Sequence, residues 1–440
     1  MRILFTTWAP GGHLVALVPL ARAFLAAGHQ VRVAVPGGCA AAVARAGLMP
    51  VPAGVLPRAL GLPPAVARRS RGIWPADWPV RPGVLGPEQH GVLRALGDRR
   101  VAIAEAMAQG LVAYARCWQP ELVVHDASTY AGTVAAAALG VPAVGQLWGS
   151  AALLRLDRQR LDGPPLPGYA RLMRRYGADP AREPELWLDP CPPSLALPSP
   201  ERRLPVRFVP YESPYESPYE SPYESPYEAP YERRYETPYA SPRGAYEGAY
   251  DASGEPSYDS VRHGPGPAPT RICAAWEDPA GPPEAVRAAL RAAEARGVEV
   301  VRLGTAAEGL PPAGPLHRVL PGCRAVLHQG GGSAVLAAAV AGVPQLIVAP
   351  RPEQQLNGAR VALTGAGAYT PAALLDGAPR TARAAGAQLA RDLFALLEQP
   401  SYVVAARALR EEARSMPGPE AAVVRLTARP EDTRKAPHRW

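Results

Sequence analysis

The sequence predicts an α/β protein made of two units, each built on a parallel β-sheet. Short apolar segments typical of strands alternate with longer helical segments in the first third of the chain, and the same alternation returns after residue 270. Such alternation predicts parallel strands joined by right-handed helical crossovers. Glycine-rich turns follow strands in both units, and a chain of 440 residues has room for two domains and their connections.

The first unit is predicted from two series of strands and helices. RILFTTW is a strand, PGGH is a turn, and the helix that follows ends at Gly28, before the strand QVRVAVP and a second helix around residues 38–46. ELVVHD, STYAGTVAAAALG and VPAVGQ repeat the order of strand, helix and strand. Residues 52–100 are rich in proline, tryptophan and arginine and lack clean periodicity. Irregular excursions of this kind commonly shape substrate pockets, and a merely variable loop region is the equal alternative.

The second unit is predicted from the strand RICAAW, a helix around residues 283–296 and the strand VEVVRL. An apolar run that ends at His328 comes next, followed by three glycines, a small-residue helix, the strand QLIVAP and a polar group at 353–357. Glycines that enter a helix let backbone N–H groups approach a phosphate, and the helix dipole favours the anion. The polar group follows the carboxyl end of a strand, the usual ligand position in doubly wound sheets. Residues 371–428 are predicted to form interrupted helices.

A tyrosine-rich repeat separates the two units. Eight consecutive four-residue repeats run from Tyr211 to Pro242, beginning with four copies of YESP. Proline at nearly every fourth position excludes a regular helix and favours polyproline II or disorder. Three interpretations remain open: an expanded linker, which we favour because surface connections tolerate long insertions, a phosphorylation or docking tract, and a polypeptide that another enzyme modifies. The predicted divisions are a first domain at 1–205, a linker at 206–269, a second domain at 270–428 and a tail at 429–440.

Composition argues against several classes of protein. All but one of the 47 basic residues are arginine, and no basic run interleaves with aromatic residues, so nucleic-acid binding is not predicted. The five cysteines are widely spaced and form no CxxC pair, which argues against a disulfide framework and a zinc site. No apolar run reaches transmembrane length, and no signal peptide is evident. We therefore expect a soluble, cytoplasmic protein.

These segments resemble actinobacterial glycosyltransferases of the GT-B fold, most closely the branch that attaches deoxysugars to macrolides and related polyketide antibiotics. The similarity is carried by MRILFTTWAPGGHLVALVPLARAFLAAGHQVRVAVP, WQPELVVHDASTYAGTVAAAALGVPAV, PLHRVLPGCRAVLHQGGGSAVLAAAVAGVPQLIVAP and EQQLNGARV. The resemblance implies two Rossmann-like domains that face each other across a cleft, with the acceptor mainly on the first and a nucleotide-diphosphate sugar mainly on the second. It also implies that the enzyme uses no metal and no cofactor, only this co-substrate, which is expected to be linked to dTDP or UDP.

His13 and Asp126 are the candidate catalytic residues. Imidazole titrates near neutral pH, which suits a base that takes a proton from an attacking hydroxyl group. The resemblance implies this role for His13 and an orienting role for Asp126, whose carboxylate would fix the tautomer of the ring. From position alone, a histidine in a turn and an aspartate at a helix N-cap are equally good interpretations. The neighbouring His125 belongs to the strand and is expected to point elsewhere.

The resemblance implies a donor site on the second unit, with departures from the usual pattern. The diphosphate turn of the family usually reads HHGGAGTT, whereas here glutamine replaces the second histidine and Ala334 replaces a hydroxyl residue. The acid of the acid-amide pair is usually aspartate and is here glutamate, one methylene longer. Glu277 and Asp278 stand near the expected position of the anion, where like charge would weaken donor binding. The predicted donor-binding residues are His328, Gln329, Gly330, Gly331, Gly332, Ser333, Glu353, Gln354 and Asn357.

The sequence supports two functional hypotheses of different classes. The first is an inverting, metal-independent glycosyltransferase that moves a deoxysugar to a hydroxyl group of a polyketide-like or other secondary-metabolite acceptor. The second is a degenerate homologue with little or no turnover that acts as a binding or scaffold partner, for example through its tyrosine-rich tract. The pair of His13 and Asp126 favours the enzyme, and the altered donor turn favours the binding protein. Some members of this branch need an auxiliary activating protein, so the expected partners include such a protein beside the acceptor and the nucleotide sugar.

Overall fold

The computed structural model of the protein describes residues 1–9, 11–57, 60–150, 154, 164–182, 184–211, 270–278, 281–304, 316–375 and 379–428, with the backbone alone for 379–381. These residues form two α/β units, each built on a sheet whose strand pairs are all parallel. The predicted α/β class with two parallel sheets is confirmed. The tyrosine repeat beyond Tyr211 and the predicted tail lie outside the described residues, so their interpretation stays a prediction.

The first sheet has its seven described strands in the order β3-β2-β1-β4-β5-β6-β7. Strand β2 lies on one side of β1 and β4 lies on the other, so the direction of winding reverses between β1 and β4. The crevice beyond the carboxyl ends of such a pair is where doubly wound sheets bind ligands. The strands are β1 (Arg2–Thr6), β2 (Gln30–Val35), β3 (Pro50–Pro52), β4 (Leu122–Asp126), β5 (Ala143–Gln146), β6 (Leu186–Asp189) and β7 (Arg203–Pro205).

Helices cover both faces of this sheet, because successive residues of a strand point to opposite sides. In β1, Leu4 packs in an apolar cluster with the helices that precede and follow β4, whereas Ile3 and Phe5 pack with the helix that follows β1. The central strands can therefore be apolar throughout, as is typical of parallel sheets. The helices of this unit are α1 (Gly12–Ala26), α2 (Ala40–Arg45), α3 (Pro64–Ser70), α4 (Pro87–Trp118), α5 (Tyr130–Leu139) and α6 (Pro167–Arg175).

The long helix α4 begins at Pro87, inside the region for which the sequence predicts an irregular excursion. That prediction is wrong for residues 87–100, and α3 is a further helical segment of the same region. Proline suits the first turn of a helix, since its φ angle is already helical and its missing N–H would have no partner there. Val92 and Leu93 are buried on the inner face of the helix. Glycine and arginine residues interrupt the apolar stripe and obscure the helical period.

The second sheet has the strand order β12-β11-β10-β8-β9. Its winding reverses between β8 and β10, so the turn after β8 and the glycine turn after β10 lie side by side at its carboxyl edge. This is the second crevice of the kind that binds ligands. The strands are β8 (Arg271–Ala275), β9 (Glu299–Leu303), β10 (Ala325–His328), β11 (Gln345–Ala349) and β12 (Gly367–Pro371).

The last described helix, α13 (Pro419–Thr427), returns to the first unit. Ala422 and Val423 of α13 lie in the same apolar cluster as Leu17 and Phe24 of α1. None of the described helices is both long and apolar enough to cross a membrane. The helices from the second unit onward are α7 (Glu284–Ala295), α8 (Leu316–Val319), α9 (Gly332–Ala341), α10 (Pro352–Leu363), α11 (Pro379–Glu398), α12 (Pro400–Ser415) and α13 (Pro419–Thr427).

Candidate active site

The two crevices face each other at very short range. A Cβ atom placed on Gly12, the first residue of α1, would stand 3.5 Å from Oγ of Ser333 in the first turn of α9. A Cβ atom placed on Gly332 would stand only 2.3 Å from the carbonyl oxygen of Trp148, which follows β5. The first distance is an ordinary van der Waals contact, whereas at position 332 glycine is what lets the backbones of the two units approach. The residues at the carboxyl ends of β1 and β4 therefore lie opposite the glycine turn of the second unit.

The structure brings His13 and Asp126 together at the crevice of the first sheet. Nδ1 of His13 lies 3.3 Å from Oδ1 of Asp126. The Asp126 side chain is 1% exposed and the His13 side chain is 20% exposed, so the carboxylate is enclosed and the ring reaches the cleft. A carboxylate that accepts the Nδ1–H group fixes the tautomer in which Nε2 can accept a proton. The pair therefore has the arrangement of a general base with its orienting acid.

The Asp126 carboxylate is held by the segment that follows it. The backbone N–H of Ser128 donates to Oδ1 at 2.8 Å, the Ser128 hydroxyl donates to the same atom at 2.7 Å, and the Thr129 hydroxyl donates to Oδ2. Burial opposes the charge, but the attraction of His13 and the hydrogen bonds from His13, Thr129 and Ser128 outweigh it and hold the pKa of Asp126 well below its usual range. Asp126 is therefore ionised at neutral pH.

Two tryptophans border the His13 ring. The ring of Trp8 lies 5.5 Å from it, and the ring of Trp148 lies 5.0 Å away in an edge-on contact. The indole N–H of Trp8 donates to Oγ of Ser128 at 2.9 Å, and the guanidinium of Arg100 lies 4.8 Å from the Trp8 ring. The two indoles therefore give the cleft an apolar aromatic surface beside His13. Sequence reasoning missed both tryptophans, although each follows the carboxyl end of a strand, the position that ligand sites favour.

His328 supports the donor turn from inside and offers neither ring nitrogen to the cleft. Its side chain is buried, its Nδ1 atom accepts the backbone N–H of Gly330 at 3.0 Å, and its Nε2–H group donates to Oε1 of Gln345 at 3.0 Å. Burial lowers the pKa of His328 to about 4, although the bond to Gln345 acts in the opposite direction. The ring is therefore neutral, and its contribution to the site is the shape of the turn.

Gly330 and Asn357 fix the glycine turn. Gly330 has a φ angle of +85°, a left-handed conformation that favours glycine, and a Cβ atom there would lie 2.7 Å from Ile347. The side-chain amide of Asn357 donates to the carbonyl oxygen of Gly330 at 2.9 Å. Gly331 is the N-cap of α9, and a Cβ atom on it would meet open space. The open part of the turn is therefore at Gly331 and the half-exposed Ser333.

The remaining side chains of the donor turn are partly committed to protein contacts. Oε1 of Gln329 accepts the backbone N–H of Glu277 at 2.9 Å, which joins the turns after β8 and β10. The side chain of Glu277 is exposed. Asp278 forms an ion pair with Arg71 of the first unit at 3.5 Å, so its charge is partly balanced from across the cleft. The expected repulsion of an anion by these two acids is therefore reduced at Asp278.

The first turn of α10 contains the predicted acid-amide pair and a further glutamine. Glu353 is half-buried, and Oε1 of Gln354 accepts the backbone N–H of Arg351 at 3.2 Å. The next residue, Gln355, is almost fully buried and contacts the first unit through both ends of its amide, a feature that sequence reasoning missed. Among the described residues, no three His, Cys, Asp or Glu side chains are grouped so that they could hold a metal ion.

Comparison with known proteins shows the family of the chain. The family model for the N-terminal domain of erythromycin biosynthesis protein CIII-like proteins matches residues 22–218, and the C-terminal model matches residues 311–428. The chain is 30% identical to 10-deoxymethynolide desosaminyltransferase of Streptomyces venezuelae, with 97% of this chain and 96% of that protein covered. It is 29% identical to TDP-daunosamine transferase DnrS of Streptomyces peucetius, over 98% of this chain and 97% of that protein.

Two solved structures share the fold over nearly the whole chain. The glycosyltransferase VinC in complex with DTDP is 26% identical, with a TM-score of 0.67 and 97% and 98% of the two chains covered. The spinosyn rhamnosyltransferase SpnG complexed with thymidine diphosphate is 23% identical, with a TM-score of 0.70 and 97% and 100% covered. The fold and site define a glycosyltransferase of the GT-B class. The chain belongs to the EryCIII-like family of these enzymes, which confirms the resemblance found in the sequence.

Proposed function

We propose that the protein transfers a deoxysugar from a nucleotide-diphosphate donor to a hydroxyl group of a polyketide-type acceptor, with inversion at the anomeric carbon and without a metal ion. The observation that carries the proposal is the 3.3 Å contact between Nδ1 of His13 and Oδ1 of Asp126, in a cleft that faces the glycine turn of the second unit. The names of two relatives, a desosaminyltransferase and a TDP-daunosamine transferase, support a deoxysugar donor.

The base acts in a single displacement. The acceptor oxygen forms its bond to the anomeric carbon while its proton passes to Nε2 of His13. The bond between the anomeric carbon and the diphosphate oxygen breaks, and its electron pair leaves with the diphosphate. Asp126 stabilises the imidazolium that forms. Attack from the side opposite the leaving group inverts the configuration, and the facing crevices supply the required alignment.

The donor binds to the second unit in this proposal. The diphosphate accepts hydrogen bonds from backbone N–H groups at the N-terminus of α9, where the helix dipole favours an anion, and from Ser333 and Gln329. Glu353 and Gln354 bind the hydroxyl groups of the sugar. A thymidine nucleotide is favoured over a uridine nucleotide, because the two similar structures named above carry thymidine diphosphate or DTDP.

The altered turn supports a second candidate, a homologue that binds nucleotide or a protein partner without turnover. Gln329 carries no charge, and its Oε1 atom already accepts a hydrogen bond from Glu277, so the turn holds less positive charge than a histidine could supply. If the enzyme is active only in a complex, its partner in this proposal is an activating protein that completes the donor site. The ordered pair of His13 and Asp126 favours the active enzyme.

Thermal-shift titration and a transfer assay test the proposal together. Thymidine diphosphate should raise the melting temperature more than uridine diphosphate at equal concentration, because a ligand that binds only the folded state must stabilise it. Product should form from a dTDP-deoxysugar and a macrolide or aromatic polyketide aglycone, equally well with and without a metal chelator. Stabilisation without any product would favour the binding protein. No stabilisation by either nucleotide would contradict a donor site of this kind.

A further inference from the structure

Gln355 joins the two units by a contact that neither the catalytic pair nor the donor turn uses. Its Oε1 atom accepts the backbone N–H of Trp74 at 2.9 Å, and its Nε2–H group donates to the carbonyl oxygen of Gly72 at 2.7 Å. The side chain is only 1% exposed. A single amide thus pairs with two backbone groups of one segment, and the reverse orientation of the amide would satisfy neither group.

The partner of Gln355 is the tryptophan segment, residues 71–78 of the first unit. Trp74 and Trp78 are fully buried and pack edge-on, with ring centres 5.7 Å apart. The carbonyl oxygen of Ile73, between the two groups that Gln355 contacts, accepts a hydrogen bond from Gln89 at the start of α4. One side of this segment is therefore fixed to the first unit, and the other side contacts the second unit.

This segment leads to the catalytic base through packed aromatic side chains. The apolar cluster that contains Trp74 and Trp78 also packs against Trp148. Trp148 lies 5.0 Å from the ring of His13, and its carbonyl oxygen occupies the space beside Gly332 in the donor turn. The packed route between α10 and His13 therefore runs through Trp74 and Trp148.

A second contact lies at the start of the segment. Arg71 pairs with Asp278, which follows β8 beside the donor turn, at 3.5 Å. The Arg71 side chain is 61% exposed, so solvent screens this pair and it contributes little by itself. The amide contact of Gln355 is stronger, because its loss would leave the buried N–H of Trp74 and the partly buried C=O of Gly72 without this partner.

We infer that Gln355 is a positioning residue that ties the donor-sugar helix α10 to the acceptor side of the cleft, so that the tryptophan segment closes on the acceptor only when it is clasped to α10. The inference rests on the proposed function, because it assigns Glu353 and Gln354, the residues next to Gln355, to the donor sugar. We call the two hydrogen bonds of Gln355 to Gly72 and Trp74 the clasp. Without the clasp the cleft opens to water. Water then replaces the acceptor: its oxygen bonds to the anomeric carbon, the diphosphate leaves with the electron pair, and a proton is released.

Gln355→Leu tests the inference, with Gln388→Leu on the exposed face of α11 as the matched control. We expect the acceptor KM of Gln355→Leu to rise about tenfold, and the ratio of donor hydrolysis to transfer to rise with it, while binding of thymidine diphosphate is retained. Gln388→Leu should match the wild type in acceptor KM, in the ratio of hydrolysis to transfer and in binding of thymidine diphosphate. A lower melting temperature with an unchanged KM and an unchanged hydrolysis ratio would overturn the positioning role and leave a merely structural one.

Gln355→Glu gives a second test, which does not require the fold to tolerate leucine at position 355. A protonated glutamic acid can accept from Trp74 and donate to Gly72, whereas the carboxylate repels the Gly72 carbonyl oxygen. Relative to wild type at each pH, the acceptor KM of Gln355→Glu should be near normal at low pH and should rise as pH rises through the pKa of the introduced carboxyl group. If the ratio of the acceptor KM of the variant to that of the wild type does not change with pH, the inference is overturned.

Limited trypsin digestion separates failure of the clasp from failure of the proposed function. Cleavage after Arg71 should be slow in the wild type, because Gly72 and Trp74 are held, and faster in Gln355→Leu. This readout needs no turnover. If the wild type transfers no sugar but the trypsin pattern changes as expected, the clasp stands and the proposed function fails. Equal cleavage rates in the wild type and the variant would contradict the clasp itself.

Discussion

Oδ1 of Asp126 lies 3.3 Å from Nδ1 of His13, at the point where the winding of the first sheet reverses between β1 and β4. The residues are 113 positions apart in the chain, and they meet because β1, which precedes His13, pairs in parallel with β4, which ends at Asp126. The buried carboxylate fixes one side of the imidazole, and the other side opens toward the glycine turn of the second unit. The central relationship of the molecule is an imidazole held by a buried carboxylate at the carboxyl edge of the first sheet.

Asp126→Asn should lower the rate of the transfer step by roughly a hundred- to ten-thousand-fold. Asparagine keeps the shape of the side chain but removes the charge that stabilises the imidazolium, and its amide can hold the wrong tautomer of His13. Single-turnover kinetics at saturating donor and acceptor measure this step. Asp392→Asn on the exposed face of α11 is the control and should react like the wild type. A change confined to the donor KM would contradict the orienting role.

Gln329→Glu should weaken binding of thymidine diphosphate by about tenfold or more. The new carboxylate can still accept the N–H group of Glu277, so the turn keeps its shape while it gains a negative charge beside the expected diphosphate. Isothermal titration calorimetry measures the affinity. The exposed control Gln388→Glu adds the same charge far from the turn and should leave the affinity unchanged. Equal affinities for Gln329→Glu and the control would show that the diphosphate does not bind at this turn.

Gly332→Ala should lower the free energy of unfolding by about 1–3 kcal/mol. Its Cβ atom would lie 2.3 Å from the backbone carbonyl oxygen of Trp148, so the two units must separate to admit it. Gly331→Ala is the matched comparison for stability, because a Cβ atom there meets open space and the φ angle of −58° suits alanine. Denaturant unfolding compares the two variants. Equal stabilities would contradict the close approach of the units at Gly332.

His328 should make the protein less stable as pH falls. Burial lowers its pKa in the folded chain to about 4, whereas the ordinary value is 6.5. Between these values the unfolded chain binds a proton that the folded chain does not, so the stability is fully present above pH 6.5 and declines toward pH 4. The loss is on the order of 3 kcal/mol.

His328→Gln removes this titration and tests its sign. The variant keeps a donor for Gln345 but loses the acceptor for the N–H of Gly330, so it should be less stable at pH 7 and should lose less stability between pH 7 and pH 4.5. Denaturant unfolding at the two pH values measures both effects. An identical pH dependence in the wild type and the variant would mean that His328 is not the titrating group.

Much of the fold could be predicted from the sequence because its strong signals are local. The strands that begin both units are continuous apolar runs, and the helices between them end at glycines such as Gly28 and Gly342, whose φ angles of +81° and +70° suit that position. The helix α4 and the strands β3, β6, β7 and β12 are among the elements that the sequence analysis does not predict. Strands β3 and β7 have three residues each, too few to show a period, and each contains proline.

The candidate site was only partly predictable, because its partners come from distant segments. The sequence indicates which polar residues follow strand ends, so His13, Asp126 and the glycine turn could be named. It does not show which way a side chain points. The sequence therefore predicts His328 as a donor-binding residue, whereas both of its ring nitrogens form hydrogen bonds within the second unit. Gln355 could not be recognised, because its partners are backbone groups about 280 residues earlier.

The most direct test of the account is the transfer rate of His13→Ala, measured in a single turnover with a dTDP-deoxysugar and a polyketide aglycone. If His13 is the base, the rate should fall at least a hundredfold, while the affinity for thymidine diphosphate stays at the wild-type value, since the donor binds to the other unit. Turnover by His13→Ala at the wild-type rate would contradict the account, because the acceptor hydroxyl would then lose its proton by another route.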